Sequence, residues 1–258
     1  MEITDGFRVK MHCSMAVVGG FIGAYALLTR HDVFGNAQTS NMIWLAMCIL
    51  GRNWGGVLIR LGGLAIYVLG IVTVTLWPRI TKIDVHFLAV AIDGVCLLCL
   101  GMLPKEMNIV ISLYPVFYAA AVQWCAFPGV YGYNCSTIFS TNNLKQFTTA
   151  SVEYICTKDA KFAQKAKFYG SVLLSYHLGV MAEFVLYQRF QILSAYFGLI
   201  FVAVTTGFVL VEQKRLKKLQ PDNKFKTCCQ AAHQEGNRIN NNVRREGYAG
   251  TSNYSISK

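Results

Sequence analysis

From Met107 to Leu144 the chain runs for 38 residues without an Asp, Glu, Lys, Arg or His. A soluble fold cannot leave so long a segment without a charged side chain facing water. A spanning helix needs only about 20 such residues, so the run exceeds one membrane crossing and approaches two. Composition agrees: 54% of the residues are hydrophobic and 14% charged, against roughly 25% charged in an ordinary globular chain. The sequence is that of an all-α polytopic membrane protein.

A net charge of +11 would suit a nucleic-acid binder, since basic patches neutralise phosphates, but its placement argues otherwise. Residues 212–258 hold ten Lys and Arg against four Asp and Glu. The remaining excess falls mainly in short segments between apolar runs, as in cytoplasmic loops. Nucleic acid is therefore excluded as a partner. The expected partners are membrane lipids, an unknown small solute or ion, and, as an open alternative, further copies of the chain.

Six segments read as full spans: 12–29, 55–77, 85–103, 107–127, 168–188 and 190–211. Two more, 36–51 and 134–156, are apolar but interrupted by polar groups, which predicts broken or re-entrant helices. The first interruption centres on Thr39-Ser40-Asn41 and the second on Thr141-Asn142-Asn143. Each T-x-N opens a short helix-like stretch and is followed by two further spans. The chain thus divides into candidate repeats 12–103 and 107–211 within a membrane domain 1–211, followed by a basic tail, 212–258. From Gln220 the tail is polar enough to predict disorder, while its first turns could touch anionic lipid heads.

If both broken segments are re-entrant, six helices cross and the halves have inverted topology. Nine basic residues (Arg8, Lys10, Arg79, Lys82, Lys145, Lys158, Lys161, Lys165 and Lys167) then lie inside, and four (Arg30, Arg52, Lys105 and Arg189) outside. If both cross fully, eight helices result and the halves run parallel, with eight inside and four outside. Both arrangements put the termini and the Lys158–Lys167 loop in the cytoplasm, with the protein in the plasma membrane.

Irregular backbone survives inside hydrocarbon only where protein or a water-filled cavity satisfies it. Paired broken segments in two halves are the usual pointer to a transporter's midplane site. Candidate substrate-binding residues are therefore Gln38, Thr39, Asn41, Thr141, Asn142 and Asn143. The Thr and Asn side chains could cap a half-helix whose free N–H groups would attract an anion. The competing reading gives them a role in interfacial caps or interhelical bonds.

Ionisable residues within the spans are costly and so are functional candidates. Asp93 is mid-span and must be protonated, paired or facing water, with Arg60 a possible partner. Arg60 itself could instead snorkel to the interface. His177 and Glu183 complete the proton-handling candidates. Six residues apart, they point to different faces of one helix; His177 could equally be a neutral hydrogen bonder between helices. Cys96 and Cys99 read as small packing residues, and Gly19 with Gly23 as a G-x-x-x-G for close helix approach. No cluster has metal-ligand spacing and no nucleophile–base pair is visible. Neither an enzyme nor a cofactor is expected.

The stretch Gly19–Ala46, GGFIGAYALLTRHDVFGNAQTSNMIWLA, resembles a family motif. It is similar to the YoaK-like bacterial membrane proteins of DUF1275, which show G-G-F-hydrophobic-D/E-A-Y followed by V-F-x-N-A-Q-T-G-N. The matching residues are Gly19, Gly20, Phe21, Ala24, Tyr25, Val33, Phe34, Asn36, Ala37, Gln38, Thr39 and Asn41, with Asn53-Trp54 after them. A looser second motif is met by Thr141, Asn143 and Leu144. The resemblance covers residues 12–211 and implies a multi-pass protein of the bacterial membrane without an assigned activity. This chain departs from the pattern at three places: Gly23 replaces the acid, and Ser40 and Asn142 replace the glycines of the two T-G-N motifs.

A small secondary-transporter-like protein is thus expected, with its site between the two T-x-N segments. The alternative is a non-transporting membrane binding or assembly protein.

Overall fold

A computed structural model describes residues 2–30 and 34–218, with side chains from Gly6 onward. Val33 of the first motif, and the expected disordered stretch from Gln220, lie outside the described residues. The chain divides into two units, Met1–Val211 and Glu212–Lys258. In the second, residues 212–218 are helical.

The first unit is built almost entirely of helices. They are α1 (Glu2–Thr29), α2 (Thr39–Leu50), α3 (Trp54–Ile80), α4 (Val85–Met102), α5 (Ile109–Ser112), α6 (Tyr114–Ala126), α7 (Thr141–Thr157) and α8 (Ala160–Phe190). A 3-10 stretch, Gln191–Phe197, leads into a last helix, α9, from residue 198 to the end of this unit. Polar residues mark several starts. The side chains of Asn53, Asp84, Asn108 and Asp159 each accept a backbone N–H from the first turn of the helix they precede, which satisfies donors that would otherwise be orphaned.

Among the described residues, four helices are long and apolar enough to cross a membrane: Gly6–Thr29, Trp54–Ile80, Val85–Met102 and the run Ala160–Lys218. Six unbroken spans were expected, and 107–127 departs from that. Pro115 cannot donate to the Ile111 carbonyl, so the ladder breaks at Leu113 between α5 and α6. The expected spans 168–188 and 190–211 share one helical run, yet that run is not a straight rod. Gln191 has φ 52°, and Ser194 Oγ donates to Glu183 Oε1 at 2.6 Å. Eleven residues of unbroken helix would hold those positions about 16 Å apart, so the chain folds back at Gln191.

α1 sits at the centre: 72% of its spanning window is buried, against 22% for α3. It packs along α8, while α3 packs along α6; α2 lies on α3, and α7 on α8. Glycines set the closest approaches. A Cβ on Gly20 would stand 2.0 Å from the Tyr176 carbonyl oxygen, and one on Gly179 would stand 2.1 Å from that of Val17. The α1–α8 backbones therefore meet where no larger residue fits, as expected for small residues at helix contacts. On α3, Gly63 fits against the Phe117 ring and Gly70 against the Tyr118 carbonyl of α6.

Both T-x-N triplets begin helices. α2, of 12 residues, is about 18 Å long at ~1.5 Å per residue, too short for a ~30 Å hydrocarbon core. Ahead of α7 the chain makes a small antiparallel hairpin, Gly129–Val130 with Tyr133–Asn134, that the hydropathy pattern did not predict. Tyr131 and Gly132 at its tip both have positive φ, 60° and 76°, the geometry of a tight hairpin turn.

Candidate functional site

The two broken segments meet at Asn36. This residue is 1% exposed. Its Nδ2 donates to the Gly19 carbonyl at 3.0 Å and to the Ile138 carbonyl at 2.8 Å. One amide thus joins the first break to α1 and to the second break. A second amide repeats the arrangement from α6: Gln123 Nε2 donates to the Met15 carbonyl at 3.0 Å and to Thr137 Oγ1 at 2.9 Å. Gly19 makes this convergence possible, since a Cβ there would lie 2.1 Å from the Thr137 carbonyl oxygen.

Gly23 belongs to the same cluster. A Cβ on it would stand 2.7 Å from Asn36 Nδ2 and 3.1 Å from the Tyr176 hydroxyl. An acidic side chain would enter the space that the Asn36 amide now uses.

In the first break, Gln38 is the N-cap residue of α2 but makes no side-chain cap bond. Instead Gln38 Oε1 accepts from Asn41 Nδ2 at 2.8 Å, and the same Nδ2 donates to the Arg60 carbonyl at 3.1 Å. Asn41 Oδ1 then faces Arg60, whose Nη1 donates to it at 3.4 Å. The Arg60 guanidinium also lies 5.2 Å from the Trp44 ring centroid. Phe34, Ala37, Ser40, Val110 and Phe117 join Asn41, Trp44 and Arg60 around a small open pocket.

In the second break, Asn143 acts as a clamp. Its Oδ1 accepts from the Ser136 N–H at 3.1 Å and its Nδ2 donates to the Ser136 carbonyl at 2.6 Å. Ser140 precedes α7 without capping it.

Thr39, Thr141 and Asn142 are exposed on the first turns of their helices, so the expected capping by threonine is not formed. Gln38, Asn41 and Asn143 are buried. Of the six sequence candidates, only Asn41 lines the pocket. Residues that periodicity could not single out, Asn36, Gln123 and Thr137, make the link between the breaks.

Three buried polar atoms in this region have no hydrogen-bond partner: Asn36 Oδ1, Gln38 Nε2 and Ser140 Oγ. Two of them belong to the residues that immediately precede the T-x-N triplets. Buried polar groups are rarely left unpaired, and these three border the chain breaks.

The ionisable candidates separate. Asp93 is fully buried and neither carboxylate oxygen has a hydrogen-bond partner. The pairing with Arg60 is not formed, because Arg60 is engaged by Asn41 and Trp44. Glu183 is fully buried, bonded to Ser194 through one oxygen. His177 is exposed, and its Nδ1 contacts the Leu173 carbonyl of its own helix at 2.8 Å. It makes no hydrogen bond between helices, because its face of α8 turns away from α1. Among the described residues no His, Cys, Asp and Glu cluster could hold a metal ion.

Helices of spanning length packed with shorter, interrupted ones define an integral membrane protein of the polytopic helical class. Its family is equally plain. Residues 11–211 match the model of DUF1275, described as a protein of unknown function, and the chain belongs to that family. No curated protein and no solved structure matches it.

Proposed function

We propose that the protein is a small secondary-transporter-like carrier that binds its solute beside the two broken segments. The observation that carries this reading is the Asn36–Ile138 hydrogen bond, with unpartnered Gln38 Nε2 and Ser140 Oγ close to it in sequence. Two interrupted segments that meet inside the protein supply free backbone and side-chain groups where a solute can replace water.

An internal repeat with inverted topology fits the packing. Exchanging the halves turns the α1–α8 pair into the α6–α3 pair, and α2 on α3 into α7 on α8. Six crossings, re-entrant α2 and α7, and both termini in the cytoplasm of a bacterial cell complete the arrangement. Asp93 and Glu183 are the proton-handling candidates that remain inside the protein; His177 is set aside by its exposure. The alternative, a non-transporting binding or assembly protein, draws support from Gly23, Ser40 and Asn142, which depart from the family pattern.

The test is proton and solute flux in proteoliposomes. A carrier gives uptake that falls when Asn41, Thr141 and Asn143 are replaced together with Thr39. Flux indifferent to that combination removes the site assignment. No flux, with a stable partner recovered from detergent extracts, favours the alternative.

A further inference from the structure

We propose that the pocket over Arg60 binds a small organic carboxylate. For its place in a transport cycle the proposal rests on the carrier reading, but the binding itself is separable from flux.

Arg60 is in the second turn of α3. A guanidinium near the end of a span can reach the interface and be solvated there. This one turns towards the first break, lies over the Trp44 ring and lines the pocket. It offers five N–H donors, of which the described residues engage one, at 3.4 Å from Asn41 Oδ1. No carboxylate of the described residues ion-pairs with it. A permanent cation facing an apolar pocket is costly without an anion.

The surroundings choose the kind of anion. Ser40 and Asn41, on the pocket wall, belong to the first turn of α2. The first rung of that helix is Met42 N–H to the Gln38 carbonyl. The N–H groups of Thr39, Ser40 and Asn41 therefore have no intrahelical acceptor and add positive potential. The rest of the wall is Phe34, Ala37, Trp44, Val110 and Phe117. One planar cation matches one carboxylate in a fork, and aromatic walls match an apolar body. A dianionic phosphate would bring two charges to a single arginine and leave the aromatic faces unused. Ser40 adds a hydroxyl donor at the pocket.

Benzoate is the probe, with benzamide as its neutral isostere, in equilibrium dialysis of the full chain in a neutral detergent. Saturable benzoate binding near one per chain is expected, weaker for benzamide by about tenfold or more, the scale of a hydrogen bond to a charged group. Arg60→Gln should cost a similar factor and Arg60→Lys less. Exposed Ser40→Leu should obstruct the pocket, which decides the matter if Arg60→Gln does not fold.

Equal binding of benzoate and benzamide, undiminished benzoate binding by a folded Arg60→Gln, or unaffected binding by Ser40→Leu overturns the proposal. So does Arg60-dependent phosphatidylglycerol binding that excludes benzoate, which would make the occupant a lipid headgroup. Arg60-dependent benzoate binding without flux defeats the carrier reading and leaves the site standing. Flux of another solute, unaltered by Arg60→Gln and without saturable benzoate binding, does the reverse.

Discussion

Asn36 and Ile138 are 102 positions apart in the chain, and the side-chain amide of the first donates to the backbone carbonyl of the second at 2.8 Å. The same Nδ2 also serves the Gly19 carbonyl, so a single side chain holds three pieces of backbone together. Asn36→Ala removes both bonds and leaves a buried carbonyl at Ile138 without this donor. A loss of about 1–3 kcal/mol is expected, measured as a fall in thermal midpoint in detergent. An unchanged midpoint would mean that the bond contributes nothing to holding the breaks together.

Gly20 and Gly207 are both helical, and they should respond oppositely to alanine. At Gly20 the new Cβ meets the Tyr176 carbonyl at 2.0 Å, whereas at Gly207 nothing lies within 4 Å. Gly20→Ala must push α1 and α8 apart and should cost at least about 1–3 kcal/mol. Gly207→Ala should be neutral or gain up to about 1 kcal/mol from helix propensity. Comparable destabilisation by the two would contradict the close α1–α8 crossing.

Asp84 caps α4 through the His86 N–H and contacts His86 Nδ1 at 2.6 Å. The His86 hydrogen bond holds its carboxyl below the ordinary carboxylate range. A depressed folded value means that the contribution to stability is present above the unfolded pKa, roughly 3.9. It is lost as pH falls through the lower folded value. Asp84→Ala should therefore cost about 1 kcal/mol at neutral pH, the usual loss for an N-cap. The gap between variant and wild-type melting curves should close only in acid. A gap that grows as pH falls would show the opposite sign.

Asp93 is buried without a hydrogen-bond partner, an environment that penalises a charge far more than a neutral polar group. Asp93→Asn keeps the shape and stays neutral at every pH. The fold should tolerate it within about 1 kcal/mol, while any proton-coupled flux through Asp93 disappears. Melting curves and flux, measured on the same preparation, separate the two effects. Undiminished coupled flux would take Asp93 out of the mechanism.

Much of the architecture was legible in the order of the residues. Thr39 and Thr141 begin α2 and α7, since polar triplets between apolar runs mark where a helix starts. Other features depend on approach between distant parts and leave no local trace. The convergence of Gln123 and Asn36 on neighbouring carbonyls of α1 needs glycine at position 19 and a neighbour brought close by folding. Arg60 lies within Asn41's reach although 19 residues separate them, while Asp93, one of the pairings open to it from the sequence, has no such bond. Pro115 and the Tyr131-Gly132 turn were written in the sequence as punctuation. Hydropathy averages over windows longer than a break and passes across both.

The fold-back at Gln191 bears on how the chain enters a bilayer. Glu183 finds its hydrogen-bond donor in Ser194, only 11 residues onward, so the bond closes within one hairpin and needs no distant helix. An acid inserted on a lone helix would meet hydrocarbon bare. Here α8 and the turn after it can be inserted together, with the carboxyl already covered on one side. The order of synthesis thus supplies the donor shortly after the acid, before the remaining contacts of the bundle need to exist.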